Sequence, residues 1–136
     1  MDDIVNTMID IYKKQSFLPI WHLWACETGC MVGSPGIIAV ADAVAKGIEG
    51  IDPEEAWEAI YNSCMHDIRG GRYRKAYGYM PNDLQGESIA HDMEFAIADA
   101  AAVEVARKLG KSEEEAYLEN RSHSWLNYFD HSTGFV

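Results

Sequence analysis

Apolar residues recur at helical spacing in five stretches of the chain, separated by segments rich in glycine, proline and polar residues. The first runs from Asp2 or Asp3, read as the N-cap, to about Gln15; Ile4, Met8 and Ile11, with Val5 and Tyr12, form its stripe. Lys13 and Lys14 sit in its last turn, where cations suit the helix dipole. A second helix spans about Pro35 to Ile48, with Ser34-Pro35 as cap and first residue and Gly47 or Gly50 as its stop. Its small residues (Gly36, Ala39, Ala41, Ala43, Ala45) predict close approach by neighbouring helices, with Asp42 as the polar exception. A third begins at Asp52-Pro53-Glu54-Glu55 and carries Ala56, Ala59, Ile60 and Cys64 to about Ile68.

Periodicity disappears between Arg69 and Gly86, a long connection for a small domain. There Arg69-Gly-Gly-Arg-Tyr-Arg-Lys is followed by Ala76-Tyr-Gly-Tyr-Met-Pro81, and Tyr73, Tyr77 and Tyr79 either line a pocket or pin the loop. Glu87 or Ser88 then opens the longest helix, which Gly110 ends after Leu109. Ser112 and Glu115 have the spacing of a capping box for a last helix, whose apolar surface comes from Ala116, Tyr117, Trp125, Tyr128 and Phe129. A turn at Asp130-His-Ser-Thr-Gly134 follows. No strand is predicted. The reading is an all-α chain, about five helices in an α/α hairpin array.

A length of 136 residues allows one domain or less, and 48% apolar content is ordinary for a globular chain. Twenty-two acidic residues against eleven basic ones leave a charge of −11. Nucleic acid and anionic membranes are poor partners for such a surface, whereas a neutral sugar or a cation is compatible with it. Neither a signal peptide nor an apolar run long enough to cross a bilayer is recognised. Cys26, Cys30 and Cys64 make no disulfide framework or zinc pattern and are read as buried free thiols.

The stretch richest in chemistry is Leu18-Pro-Ile-Trp-His-Leu-Trp-Ala-Cys-Glu-Thr-Gly-Cys-Met-Val-Gly33. Pro19, Gly29 and Gly33 mark it as a loop entering the second helix. Trp21 and Trp24 offer flat apolar faces suited to stacking on a sugar, with Glu27 and Thr28 as polar contacts; the plainer alternative has the tryptophans plugging a core and Glu27 capping the helix.

From Trp21 to Ile48 the sequence resembles a loop W…G-N-E-T-x-C-M-I-G running into V-I-A-D-A-Y-x-K-G-I. Tyr77-Gly-Tyr-Met-Pro81 is similar to a G-Y-I-P loop, and Ser88-Ile-Ala-His-Asp-Met-Glu94 to S-V-S-x-T-L-E, with Asp99 on the second acid of Y-x-D-D-W. Trp125 to Phe135 resembles N-x-F-D-P-x-T-G-F. These are blocks of the bacterial α-mannosidases of glycoside hydrolase family 92, and they extend over residues 4–136.

The resemblance implies an (α/α)6 barrel, of which residues 1–136 are an interior portion of the catalytic domain, and a calcium-dependent, inverting, exo-acting α-mannosidase working on N-glycans or mannan in the periplasm or outside the cell. Its partners would be a mannose-containing glycan and the remaining barrel helices, or copies of itself. The family's general acid and base lie in D-[YF]-T-E-G and G-N-D-D blocks, expected beyond Val136, so no catalytic residue is assigned. Trp21, Trp24, Glu27 and Thr28 are the candidate substrate-binding residues. Asp83, Glu94 and Asp99 are oxygen donors in principle, but surface or capping roles are preferred and no metal ligand is assigned. Ser34-Pro35 replaces Y-H after the motif glycine, and Ala98 and Ala100 replace an acid and a tryptophan around Asp99. The alternative function is a small helical interaction module derived from such a barrel, without catalysis.

Overall fold

Proline and capping chemistry set where the helices begin in the computed structural model, which describes residues 1–136. The helices are α1 Asp2–Gln15, α2 Pro35–Ala45, α3 Pro53–Cys64, α4 Gly71–Tyr77, α5 Ser88–Leu109 and α6 Ser112–Ser122. Two 3-10 turns, Ile68–Gly70 and Ser124–Asn127, follow α3 and α6. At α3 the expected cap is formed: Asp52 Oδ1 accepts from the amides of Glu54 and Glu55 at 2.9 and 3.1 Å. At α1 the N-cap is Met1, ahead of both Asp2 and Asp3, the two expected. Ser112 lies inside α6 with Lys111 at the cap, so the Ser112–Glu115 capping box is not made. Helices α2 and α3 stop earlier than expected, at Ala45 and Cys64.

Two elements depart from the sequence reading. The basic stretch expected to be unstructured holds α4, and the motif loop contains a minimal antiparallel ladder, β1 (His22–Leu23) with β2 (Cys26–Glu27). Six helices are therefore present, in antiparallel hairpins, with α5 packed against α2, α3 and α6.

Valine, isoleucine and alanine fill the core between these helices: Val40, Ala56, Ile60, Ala102, Val105 and Leu118 are fully enclosed. The small residues of α2 allow the close packing they predict. At Gly36 an added Cβ would lie 2.3 Å from the Pro19 carbonyl oxygen, so the motif loop is pressed directly onto the start of α2. Asp42 is exposed and pairs with Lys46.

The connections are unequal at the two ends. Residues 46–52 and 110–111 join helices at one end. Segments 16–34, 65–70 with 78–87, and 123–136 gather at the other. All five non-glycine residues with positive φ (Ser16, Trp24, Ala25, Arg69 and Glu87) belong to this second, loop-rich end.

Beneath that end lies a buried ion network. Arg74 of α4 donates through Nε to Asp92 and through Nη1 to Asp99 at 2.8 Å, both on α5. Its Nη2 donates to the Arg121 carbonyl and to Ser124 Oγ, each at 3.1 Å. Arg121 in turn donates to Asp99 through Nε at 2.8 Å and to the Cys64 carbonyl at 2.8 Å. Asp92 also accepts from Ser124 Oγ at 2.9 Å, the Tyr128 hydroxyl at 2.7 Å and the Met80 amide at 3.2 Å. Burial disfavours charge on Arg121, but Asp99 outweighs it and raises the guanidinium pKa. Burial and the neighbouring Asp92 push the Tyr128 phenol up.

Removing one member leaves a buried charge without its partner. Arg74→Leu or Asp99→Leu should destabilise the chain by about 3–5 kcal/mol, read as a lowered urea midpoint. The double variant Arg74→Leu/Asp99→Leu should lose less than the sum of the two.

Candidate functional site

The motif loop is built around Glu27. Its carboxylate accepts from the amides of Ile20 at 2.7 Å, Trp21 at 3.0 Å and Gly29 at 2.8 Å. His22 Nε2 stands 3.3 Å away and also contacts Gln15 Oε1 at 3.2 Å. Burial alone would raise the Glu27 carboxyl; the Ile20, Gly29 and Trp21 amides with the His22 ring outweigh it and hold the group below its ordinary value. Glu27 therefore caps no helix: Ser34 is the N-cap of α2, and it makes no side-chain bond there.

Around this clamp the chain turns back on itself. His22 pairs with Glu27 and Leu23 with Cys26, leaving Trp24 and Ala25 as the two turn residues. Their φ values of 54° and 58° are left-handed, as in a type I′ turn, where asparagine and glycine are usual. Thr28 closes the base, its amide and hydroxyl both donating to the Trp21 carbonyl, the hydroxyl at 2.6 Å.

Neither tryptophan plugs the core of this chain. Trp24 is 92% exposed at the tip, and Trp21 is half exposed at the base. The two do not form a joint platform: Trp21 lines a groove of about 660 Å³ with Ile4, Met8, Ile11, Pro19 and Pro35, beside α1 and α2, whereas Trp24 stands clear of it. Cys26 and Cys30 are likewise exposed, against the expectation of buried thiols. Cys64 is partly covered, and burial with Asp99 beside it pushes its thiol well above the ordinary value.

Arg69 ties the loop to the rest of this end. Nη1 donates to the Gly33 carbonyl at 2.8 Å from a backbone with φ of 53°. Burial lowers the Arg69 pKa, opposed by Glu27, Cys30 and Glu87 around it. His91, in the first turns of α5, is buried with Nδ1 unpartnered; burial and Arg69 hold its pKa down. Sequence reasoning passed over both residues. The Gly-Gly pair after Arg69 was the available signal of an unusual turn, and nothing marked His91. Tyr77 and Tyr79 are exposed, and Tyr79 meets Tyr128 edge-on at 6.2 Å.

No three His, Cys, Asp or Glu side chains converge on one point, and Asp99, one of the oxygen donors considered, is bound to Arg74 and Arg121. No helix is long and apolar enough to cross a membrane.

Glu27→Gln should destabilise the loop by about 1–3 kcal/mol, because an amide presents one acceptor oxygen where the carboxylate presents two. The sign of the pH dependence follows from the depressed pKa: the Glu27 contribution is complete above the ordinary carboxyl range and is lost as pH falls through the lower folded value. The stability difference between the parent and Glu27→Gln should thus shrink on acidification below about pH 4. Ala25→Gly should stabilise by about 1 kcal/mol by removing a left-handed alanine, read as a higher melting temperature.

The whole chain, residues 1–136, matches the family model described as the glycosyl hydrolase family 92 catalytic domain. An uncharacterized secreted glycosidase of Arthroderma benhamiae is 30% identical over 144 residues, covering 93% of this chain and 18% of that protein. A family GH92 α-mannosidase of Bacteroides thetaiotaomicron superposes with a TM-score of 0.93 at 33% identity, over 98% of this chain and 18% of the other. The same enzyme in complex with mannoimidazole gives the same values. An inverting GH92 mannosidase from that organism superposes with a TM-score of 0.86 at 27% identity, over 96% of this chain and 19% of the other. The chain thus spans 18–19% of the length of these relatives. It belongs to the glycosyl hydrolase family 92 catalytic domain and is a slice of its (α/α)6 barrel.

Proposed function

We propose that this chain forms one wall of the sugar-binding face of an inverting, exo-acting α-mannosidase that hydrolyses α-mannosidic linkages of N-glycans or mannan. The observation that carries the reading is the motif loop: a carboxylate-clamped hairpin at the end where every strained non-glycine residue gathers, in a chain of this family. Trp24 and Thr28 present an indole face and a hydroxyl oxygen to a neutral sugar, while Trp21 turns to the groove beside α1. Glu27 acts behind them, shaping the wall instead of touching the bond that breaks. The complex of a relative with mannoimidazole supports a mannose-like ligand for the family.

Inversion requires an acid on the leaving oxygen and a base activating water on the opposite face, roughly 6.5–9.5 Å apart. The most enclosed carboxylates of this chain are unavailable for that work. Asp92 and Asp99 hold arginines, and Glu27 holds backbone amides. The acid and base of this reading therefore belong to other segments of the barrel. Two apolar faces stand open to receive neighbouring helices or a further copy: the groove beside α1, and the surface of Met93, Ile97 and Trp125 on the α5–α6 side. The secreted glycosidase among the relatives supports a periplasmic or extracellular site of action.

Two measurements test this. The 136-residue chain by itself, with calcium, should not hydrolyse α-mannobiose. The complete protein containing it should release mannose whose anomeric configuration, followed by proton NMR, is opposite to that of the substrate. Turnover by the short chain that Glu27→Gln abolishes would move the chemistry onto Glu27, and retention of configuration would remove the inverting mechanism.

A further inference from the structure

The hairpin tip is built at a conformational cost that its own contacts do not offset. Trp24 and Ala25 are both left-handed, a conformation that disfavours L-residues by about 1–2 kcal/mol each. A strained residue ordinarily gains packing in return, yet the Trp24 side chain is 92% exposed and its neighbour Leu23 is 61% exposed. Everything beneath the tip is rigid: two paired positions, the Glu27 clamp on three amides, the Thr28 bonds to Trp21 and the Arg69 tie at Gly33. Such a frame holds a large flat apolar face outward in a fixed place, so little side-chain and backbone freedom remains to be lost when a ligand covers it. Trp21 is not part of this device, since it faces the groove beside α1. A chain of charge −11 favours a neutral partner over an anionic one, and a pyranose ring offers an apolar face to the indole with hydroxyls left to water.

We infer that Trp24 is a specificity-determining platform that stacks on a sugar of the glycan other than the one being released, so that the tip selects oligosaccharides over simple mannosides. This rests on the mannosidase reading above. The test compares kcat/KM of the complete protein for a mannotrioside and for an aryl α-mannoside carrying a single sugar. Trp24→Ala should lower the ratio of the two constants about tenfold, with the change in KM for the trioside, while Trp24→Phe keeps most of it. An unchanged melting temperature separates this from misfolding. A ratio that stays constant in Trp24→Ala, or one that Trp24→Phe loses equally, overturns the platform and leaves the mannosidase reading standing. An unaltered complete protein that hydrolyses no α-mannoside overturns both.

Discussion

Two arginines and two aspartates, closed off from water, hold the loop-rich end of this chain together. Arg74 reaches both Asp92 and Asp99, and Arg121 shares Asp99. The charges balance within the network, and the remaining donor and acceptor positions are taken by Ser124, Tyr128, the Met80 amide and the Cys64 and Arg121 carbonyls. Completeness is what makes such burial tolerable, because desolvating an ion costs several kcal/mol unless each lone pair and proton finds a partner. An apolar cluster of the same volume would pack as stably but would not dictate register. Here the arginine forks require α4, α5, the end of α6 and the last turn of α3 to meet in one arrangement.

The motif loop repeats the same physics on a smaller scale. A carboxylate buried beside backbone amides substitutes for the sheet or helix that the segment lacks, and Glu27 gives three amides acceptors that a loop would otherwise leave to water. The two centres are joined through Arg69, which spans from the turn before α4 to Gly33, and through the close seating of Pro19 on Gly36. Positions of the exposed tip residues are therefore set by buried charge several residues away. The opposite end of the hairpins has no counterpart to this: its joints are short and carry none of the left-handed non-glycine residues.

Helices α1, α2, α3 and α5 were readable in advance because their signals are local. Pro35 and Pro53 at first helical positions, the Asp52 cap, the lysines ending α1 and Gly110 after α5 all act within one turn of where they stand. What escaped the reading depends on partners far along the chain. Helix α4 begins at Gly71 behind a glycine N-cap, Gly70, so its seven residues carry no local mark of a helix; Arg74 anchors it only once α5 and α6 are in place. Asp92 and Asp99 look like ordinary polar positions on a long helix until an arginine from another element arrives. The Ser112–Glu115 pattern located α6 but not its cap, since a motif of correct spacing is idle when the helix starts one residue earlier than the cap requires. The candidate site was legible in its residues, not in their division of labour. Trp21, Trp24, Glu27 and Thr28 do share one loop, yet only geometry shows that Glu27 faces inward to amides, that Trp21 turns to the α1 groove and that Trp24 alone projects.

That division has a consequence for how such a barrel can be assembled from segments. A carboxylate performs acid or base work only when its oxygens can reach the reacting group, and one whose oxygens are bonded to arginines or to three amides is already occupied. Within this slice Asp92, Asp99 and Glu27 are all used to fix backbone and side chains. The groups facing outward at the loop end include the Trp24 indole, the Thr28 hydroxyl, and Tyr77 and Tyr79, which bind by shape and weak polarity. Under the proposed reading, a wall made this way recognises a sugar while carboxylates elsewhere in the ring carry the chemistry, and it can be altered at Trp24 without disturbing the charges that keep it standing.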